Sequence, residues 1–158
     1  MRKRFMFSSI LSVSLLFSGC AQKENDHVAE HQTGDIREET ASVHELPSFL
    51  ASYNESMAHL YEQVAARRAL LENIPCYCGC GESAGHENNY DCFVYENKSN
   101  GAIVWDDHAT KCGVCLEIAS ISIEQYEKGM SIKDIRHFID ETYKEGYAKP
   151  TPTPTKPM

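Results

Sequence analysis

The sequence lacks the signatures of two large classes of enzyme. It contains neither a Gly-rich phosphate-binding loop of the GxxxxGK[ST] type nor an HExxH zinc-protease motif. It also lacks an internal repeat and a Met-rich tract. No apolar run reaches the length of about 20 residues that a membrane-spanning helix needs. We therefore expect a protein that is not an enzyme and that does not cross a membrane as a helix.

Basic residues are few. The chain has 15 Lys and Arg against 23 Asp and Glu, a formal net charge of −8. Loss of residues 1–19, which hold three basic and no acidic residues, would bring the charge to −11. Because an acidic surface repels the phosphate backbone of DNA and RNA, we exclude nucleic acid as a partner.

The first twenty residues have the order of an export signal. A basic segment, 2–4, precedes an apolar segment interrupted only by serines, 5–17, and then Ser18-Gly19-Cys20. This order resembles the lipobox of bacterial lipoproteins, in which the cysteine is lipidated and the signal is cut just before it. The resemblance implies a signal peptide over 1–19, lipidation at Cys20 and a lipid anchor, palmitate included, at the extracytoplasmic face of the cell membrane.

Low apolar content marks both ends of the remaining chain. Residues 20–46 are mostly polar, and residues 148–158 are rich in Pro and Thr. We expect a lipidated, disordered tether over 20–46 and a disordered tail over 148–158. The folded domain is then confined to 47–147.

Apolar residues recur at helical spacing in three segments of that domain. The first runs from an N-cap at Asn54 to a stop before Pro75. The second runs from about Gly113 to Lys128, and the third begins after Ser131. Three helices are therefore predicted.

Residues 75–91 are rich in Gly, Asn, Ser and Cys and are predicted to form an irregular loop. Aromatic and β-branched residues then flank Asn100-Gly101, which favours a short β-hairpin. The predicted fold class is mainly α: a small domain of about three helices with an irregular Cys-rich loop and a short hairpin. Its core is thin, so metal or disulfide cross-links would help it fold.

Seven cysteines are present, and six remain if Cys20 carries the lipid: Cys76, Cys78, Cys80, Cys92, Cys112 and Cys115. Alternate residues of an extended segment point the same way, and residues three apart share one face of a helical turn. We therefore expect the six sulfurs to converge. The dipole of the second helix and Lys111 are expected to lower the thiol pKa values of the last two cysteines.

Clustered thiolates are ligands for soft metals. Six thiolates exceed the four ligands of one tetrahedral zinc site, so we take copper(I) as the first choice of metal and zinc as the second, with all six cysteines as ligands. His86 and His108 flank the motifs and could add nitrogen ligands, although surface or capping roles are commoner for such histidines. The predicted role is metal buffering, delivery or resistance, with a metal-handling or thiol-redox protein as partner.

Two other uses of the cysteines stay open. Six is an even number, and three disulfides could staple a small exported structural or interaction protein. Against this, three cysteines within five residues are more usual in ligand sets than in staples. Cys112 and Cys115 also form a CxxC pair, which could exchange thiols and disulfides with a partner.

The segment Ile74-Pro75-Cys76-Tyr77-Cys78-Gly79-Cys80-Gly81 resembles the signature of the PCYCGC-motif lipoproteins of Gram-positive, Bacillus-like bacteria. The resemblance extends through Asp91-Cys92-Phe93 and Trp105-Asp106 to the CxxC pair, and covers about 47–147. It implies an exported, membrane-tethered protein. The family is one of unknown function, so the metal role is inferred from the cysteines alone.

Overall fold

The structure is a computed structural model that describes residues 34–154 and, for residues 28–30, the backbone. The predicted signal peptide over 1–19 and the predicted lipidation site Cys20 lie outside the described residues.

A four-stranded antiparallel sheet is built from strands that are distant in the sequence. Its members are β1 (Val28–Glu30), β2 (Ile36–Thr40), β3 (Val94–Asn97) and β4 (Ile103–Asp106), which lie side by side in the order β1-β2-β4-β3. Strands β3 and β4 form the predicted hairpin. Its turn contains Gly101 at φ +92°, a conformation that glycine adopts without steric cost.

The described residues also contain five α-helices and three 3-10 helices. The α-helices are α1 (Glu55–Ala66), α2 (Arg68–Leu71), α3 (Cys80–Ser83), α4 (Gly113–Glu127) and α5 (Ile132–Tyr143). The 3-10 helices are Ser48–Ser52, Tyr90–Cys92 and His108–Lys111.

The three helices predicted from periodicity are confirmed, with one difference. Asn54 caps α1 by accepting a hydrogen bond from the backbone N–H of Met57, and the side chain of Ser131 caps α5 in the same way. Just beyond α4, Gly129 takes φ +88°, as the stop signal predicts. The first predicted helix is divided at Arg67, whose non-helical backbone separates α1 from α2.

Buried aromatic side chains join the sheet to α1. Tyr61 is fully buried, lies edge-on to Phe93 with ring centroids 5.0 Å apart, and donates its hydroxyl to the Asp106 carbonyl at 2.9 Å. Trp105 of β4 is also fully buried and donates from Nε1 to Thr40 Oγ1 of β2 at 2.9 Å. These bonds satisfy the polar ends of large core side chains and fix β2 and β4 against the helix.

The prediction of a disordered tether is wrong for residues 36–40, which form β2. This strand pairs with β1 on one side and with β4 on the other. The buried Arg37 donates from Nε to Asp106 Oδ2 at 2.8 Å, across 69 positions of sequence. The segment looks like a polar linker because the partner of its buried charge lies so far along the chain.

The prediction of a disordered tail is also wrong, for residues 148–154. Thr151 is buried, donates its N–H to the Cys76 carbonyl at 2.9 Å, and accepts the Cys76 N–H on Oγ1 at 2.9 Å. Thr153 donates its hydroxyl to the Glu87 carbonyl at 2.7 Å. Residues 155–158 lie outside the described part of the chain.

The fold is therefore mixed, with helices and an antiparallel sheet, rather than mainly α. The sheet has two strands, β1 and β2, beyond the predicted hairpin, because the segment that contains them was taken for a polar tether. No helix within the described residues is both long and apolar enough to cross a membrane.

Candidate metal centre

The PCYCGC loop follows α2 and carries three of the cysteines. Pro75 begins the loop after the end of α2, as expected for a residue that cannot continue a helix. Gly79 then takes φ +91°, which turns the chain into α3, and Cys80 is the first residue of that helix. A side chain at position 79 would strain this turn, so the glycine is part of how the loop folds around its sulfurs.

The other three cysteines come from elements that follow. Cys92 ends the 3-10 helix Tyr90–Cys92, Cys112 is the N-cap residue of α4, and Cys115 lies in the first turn of α4. Asn89 is fully buried and joins these parts. Its N–H donates to the Ile74 carbonyl at 2.8 Å, and its Nδ2 donates to the Cys115 carbonyl at 3.2 Å.

Three of the sulfurs form a nearly equilateral triangle. Cys76 Sγ lies 3.4 Å from Cys78 Sγ and 3.5 Å from Cys115 Sγ, and the last two are 3.4 Å apart. A tetrahedral metal with metal–sulfur bonds of about 2.3 Å has sulfurs about 3.8 Å apart. The triangle therefore comes within a few tenths of an ångström of the spacing that metal coordination requires.

Cys80 and Cys92 each lie within 4.8 Å of two sulfurs of this triangle, and the cluster contains two groups of four potential ligand atoms. The first combines Cys78, Cys112 and Cys115 with His108, and its ligand atoms all lie within 4.8 Å of one another. The second consists of Cys80, His86, Cys92 and His108, under the same limit, with the two sulfurs 3.7 Å apart. The cluster could hold a metal.

The structure thus brings all six predicted cysteines together, each as a free thiol. Cys76, Cys80, Cys92 and Cys115 are buried, whereas Cys78 and Cys112 are partly exposed. The cluster is consequently closed on most sides and reaches solvent at Cys78 and Cys112. That each cysteine binds a metal stays a prediction.

Hydrogen bonds among the sulfurs divide them into acidic and weakly acidic thiols. The hydrogen bond with Cys115 lowers the pKa of Cys76. The pKa of Cys78 is lowered by its hydrogen bonds with Cys112 and then Cys115. Complete burial raises the pKa of Cys92, because a thiolate there would lose its hydration. Cys78, which accepts hydrogen bonds from Cys76 and Cys115, is the natural site of negative charge in the metal-free cluster.

The expectation that Lys111 lowers the pKa values of the CxxC pair is wrong. The pKa of Cys115 is raised, chiefly by its hydrogen bond with Cys112, and the pKa of Cys112 is raised too. Lys111 Nζ instead donates to Asp107 Oδ1 at 2.8 Å and to the Gly34 carbonyl at 2.9 Å. The Lys111 ammonium group therefore binds oxygen acceptors rather than the thiols of the CxxC pair.

Two histidines, which the sequence favoured as surface or capping residues, lie within the cluster. His86 is only 5% exposed, and neither ring nitrogen has a hydrogen-bond partner. Its ring packs edge-on against that of His108, with centroids 4.7 Å apart. Burial lowers the pKa of His86, which keeps the ring neutral and able to bind a metal. The spacing Cys80-x5-His86-x5-Cys92 was the available sequence signal.

His108 is held by a carboxylate from the segment that was predicted to be a tether. Its Nδ1 lies 3.0 Å from Asp35 Oδ2, and the Asp35 side chain is mostly buried. The pKa of His108 is raised to about 9, first by its hydrogen bond with Cys78 and also by the bond with Asp35. In the metal-free protein this arrangement is a thiolate–imidazolium pair backed by a carboxylate.

A serine motif also falls at the edge of the site. Gly81-Glu82-Ser83-Ala84-Gly85 has the GxSxG spacing of a hydrolase nucleophile. Ser83 is exposed at the end of α3 and donates its hydroxyl to the Gly79 carbonyl at 3.2 Å. Among the described residues no imidazole is bonded to that hydroxyl, and no strand leads directly into the turn as the hydrolase motif requires. The motif is a coincidence of spacing in the glycine-rich loop.

Comparison with known proteins gives a match to one protein family. A family described as "Protein of unknown function with PCYCGC motif" matches residues 9–156. No curated protein and no solved structure matches the chain.

Proposed function

Because the chain belongs to the family of proteins with the PCYCGC motif, whose function is unknown, we propose from its cysteine cluster that it binds a soft metal. Copper(I) is the first choice of metal and zinc the second. The protein would be an exported lipoprotein, held at the extracytoplasmic face of the membrane through Cys20, that buffers, delivers or confers resistance to that metal.

The triangle of Cys76, Cys78 and Cys115 is the observation that carries this proposal. Its three sulfur–sulfur distances agree within 0.1 Å, at 3.4–3.5 Å. A disulfide staple pairs each sulfur with one partner and separates it from the others. Three sulfurs at equal spacing instead surround a common point, which is the arrangement of a thiolate ligand set.

Charge and softness favour copper(I). Thiolates are soft ligands, and several thiolates crowded in a buried site repel one another unless cations lie between them. Monovalent copper can be added one ion at a time until the negative charge is largely offset. A small polynuclear copper(I)–thiolate cluster is therefore the occupant that uses the most sulfurs.

The partial exposure of two cysteines supports delivery of the metal as well as its storage. Cys76, Cys92 and Cys115 are fully buried, whereas Cys78 and Cys112 reach the surface. A metal held by the buried sulfurs would be shielded from water, and it would enter and leave past the two partly exposed thiols. A partner that presents its own thiolate could exchange ligands at that edge.

Native mass spectrometry of the full chain, prepared reduced and without oxygen, tests the proposal together with thiol counting. The metal-free chain, unfolded in denaturant so that its buried thiols can react, should show seven reactive thiols, the number of cysteines in the sequence. After copper(I) loading, we expect retained copper and one reactive thiol, Cys20. A chain that lacks six hydrogens and retains neither copper nor zinc would contradict the proposal and favour the disulfide staple.

A pair of single-sulfur variants controls that experiment. Cys76→Ser removes one sulfur of the triangle that it forms with Cys78 and Cys115, and should weaken copper binding by more than the about 10–100-fold that loss of an outer-shell partner costs. Cys20→Ser also removes one sulfur, but outside the cluster, and should bind copper as the wild type does. Equal affinity in Cys76→Ser and Cys20→Ser would sink the assignment of the triangle.

A further inference from the structure

We propose that Cys80, His86, Cys92 and His108 form a separate tetrahedral site for a divalent cation of the zinc type. The inference rests on the proposed metal-binding function and deepens it. It divides the cluster into an all-sulfur part, Cys76, Cys78, Cys112 and Cys115, and a mixed nitrogen–sulfur part.

The four donors already have the separation that such a site needs. Their ligand atoms all lie within 4.8 Å of one another, and the two sulfurs are 3.7 Å apart. The edge of a tetrahedral zinc–sulfur site is about 3.8 Å. Small movements of side chains would therefore complete the coordination.

The state of His86 is the independent observation that points to a ligand. A buried imidazole normally has hydrogen-bond partners, and a buried polar atom without one costs about 1–3 kcal/mol. His86 is 5% exposed, and both of its nitrogens lack a partner. A cation between Cys80 and Cys92 would supply the bond that one of these nitrogens lacks.

His108 has the outer partner that metal-bound histidines usually have. Asp35 engages Nδ1 at 3.0 Å, so Nε2 is the nitrogen for a metal, and binding would replace the hydrogen bond that this side of the ring makes with Cys78. A carboxylate on the far nitrogen fixes the orientation of the ring and makes the ligand more basic. Asp35 acts here as a positioning residue, because it acts through His108.

The donor set selects the cation. Two thiolates and two neutral imidazoles around a divalent ion give a site with no net charge, which suits a buried position. Two sulfurs and two nitrogens at tetrahedral spacing are a common structural zinc set. Binding releases the protons of the two thiols and the extra proton that His108 carries in the metal-free protein, three in all, to solvent, and no change of oxidation state is involved.

The full chain, reduced and loaded with one equivalent of zinc, tests the inference by X-ray absorption at the zinc edge. We expect a first shell of two sulfurs at about 2.3 Å and two nitrogens at about 2.0–2.1 Å. A first shell of four sulfurs, or one that contains oxygen, would overturn the inference. This measurement needs no variant and does not depend on how a substituted chain folds.

A matched pair of histidine variants gives the second test. His86→Leu should lose zinc affinity by more than about 100-fold, beyond the range for an outer-shell partner. His59→Leu removes an exposed histidine of α1 and should keep zinc as the wild type does. Equal zinc affinity in the two variants would also overturn the inference.

Copper(I) titration of the same wild-type preparation separates the two proposals. If copper is taken up but zinc shows the wrong first shell, the mixed site falls and the soft-metal function stands. If neither metal is retained, both proposals fall.

Discussion

His108 lies between a thiol and a carboxylate. Its hydrogen bonds with Cys78 and Asp35 stabilise the charged imidazolium, and they raise its pKa to about 9 from an ordinary value of 6.5. Because the pKa is raised, the ring keeps its proton at pH 7 and releases it as the pH rises through about 9. The stabilisation that the proton gives to the metal-free fold is complete below about pH 6.5. It is lost as the pH rises from about 6.5 to about 9.

Proton NMR of the reduced, metal-free protein checks this assignment. Cys78→Ser should lower the pKa of His108 most, because Cys78 supplies the largest contribution. Asp35→Asn should lower it by less. A wild-type value near 6.5, or one that neither substitution moves, would show that the contacts of His108 in solution differ from those described.

The sequence identified the six cysteines but undervalued the two histidines. Cysteine spacing is a strong local signal, since alternate residues of a loop and residues three apart in a helix share a side. A single histidine in a loop carries no such signal. What distinguishes His86 is its burial without a hydrogen-bond partner, and that depends on packing against residues distant in the sequence.

The C-terminal segment 148–154 is the element that holds the PCYCGC loop from outside. Ala148 N–H donates to the Tyr77 carbonyl at 3.1 Å, and Thr151 exchanges two hydrogen bonds with Cys76, each 2.9 Å long. Arg136 of α5 fixes the segment further by donating from Nη2 to the Thr153 carbonyl at 2.9 Å. The backbone that presents the first sulfur is thus set by residues at the far end of the chain.

Thr151→Val tests the importance of this contact. Valine keeps the shape but removes the acceptor of the buried Cys76 N–H, so the free energy of unfolding should fall by about 1–3 kcal/mol. Urea unfolding of the reduced, metal-free chain would measure it. Thr142→Val, at an exposed position of α5, is the matched control and should change stability by less than about 0.5 kcal/mol. Equal effects of the two substitutions would mean that the segment does not support the loop.

Local patterns predicted the elements whose stabilising contacts are local. Helical periodicity and the caps Asn54 and Ser131 identified α1, α4 and α5, and Asn100-Gly101 identified the hairpin. Strand β2 was missed because its buried charge, Arg37, is paired 69 positions away. The docked tail was missed for the same reason, since the bond between Thr151 and Cys76 spans 75 positions.

The folded domain begins before residue 47 and ends after residue 147, the bounds that its apolar residues indicated. Both corrections tie the ends of the described chain to the cysteine cluster, through Asp35 on His108 and through Thr151 on Cys76. If Cys20 carries a lipid, only a short stretch separates the membrane from β1. The cluster would then work close to the membrane surface.

The proposed anchor can be tested by fractionating bacteria that express the full chain. The wild type should remain with the membrane, because each buried CH2 of the lipid contributes about 0.8 kcal/mol. By mass spectrometry, Cys20→Ser should lack the lipid that the wild type carries, whereas Cys112→Ser, which removes a sulfur from the folded domain, should keep it. A wild-type protein without a lipid on Cys20 would contradict lipidation at this residue.

The proposed function requires that the sulfurs of this cluster surround metal ions. Anomalous diffraction from copper-loaded crystals, grown without oxygen and measured on both sides of the copper edge, tests it most directly. We expect copper peaks among Cys76, Cys78, Cys112 and Cys115, with no disulfide between these residues. Copper confined to exposed histidines such as His59, beside disulfide-bonded cysteines, would contradict it.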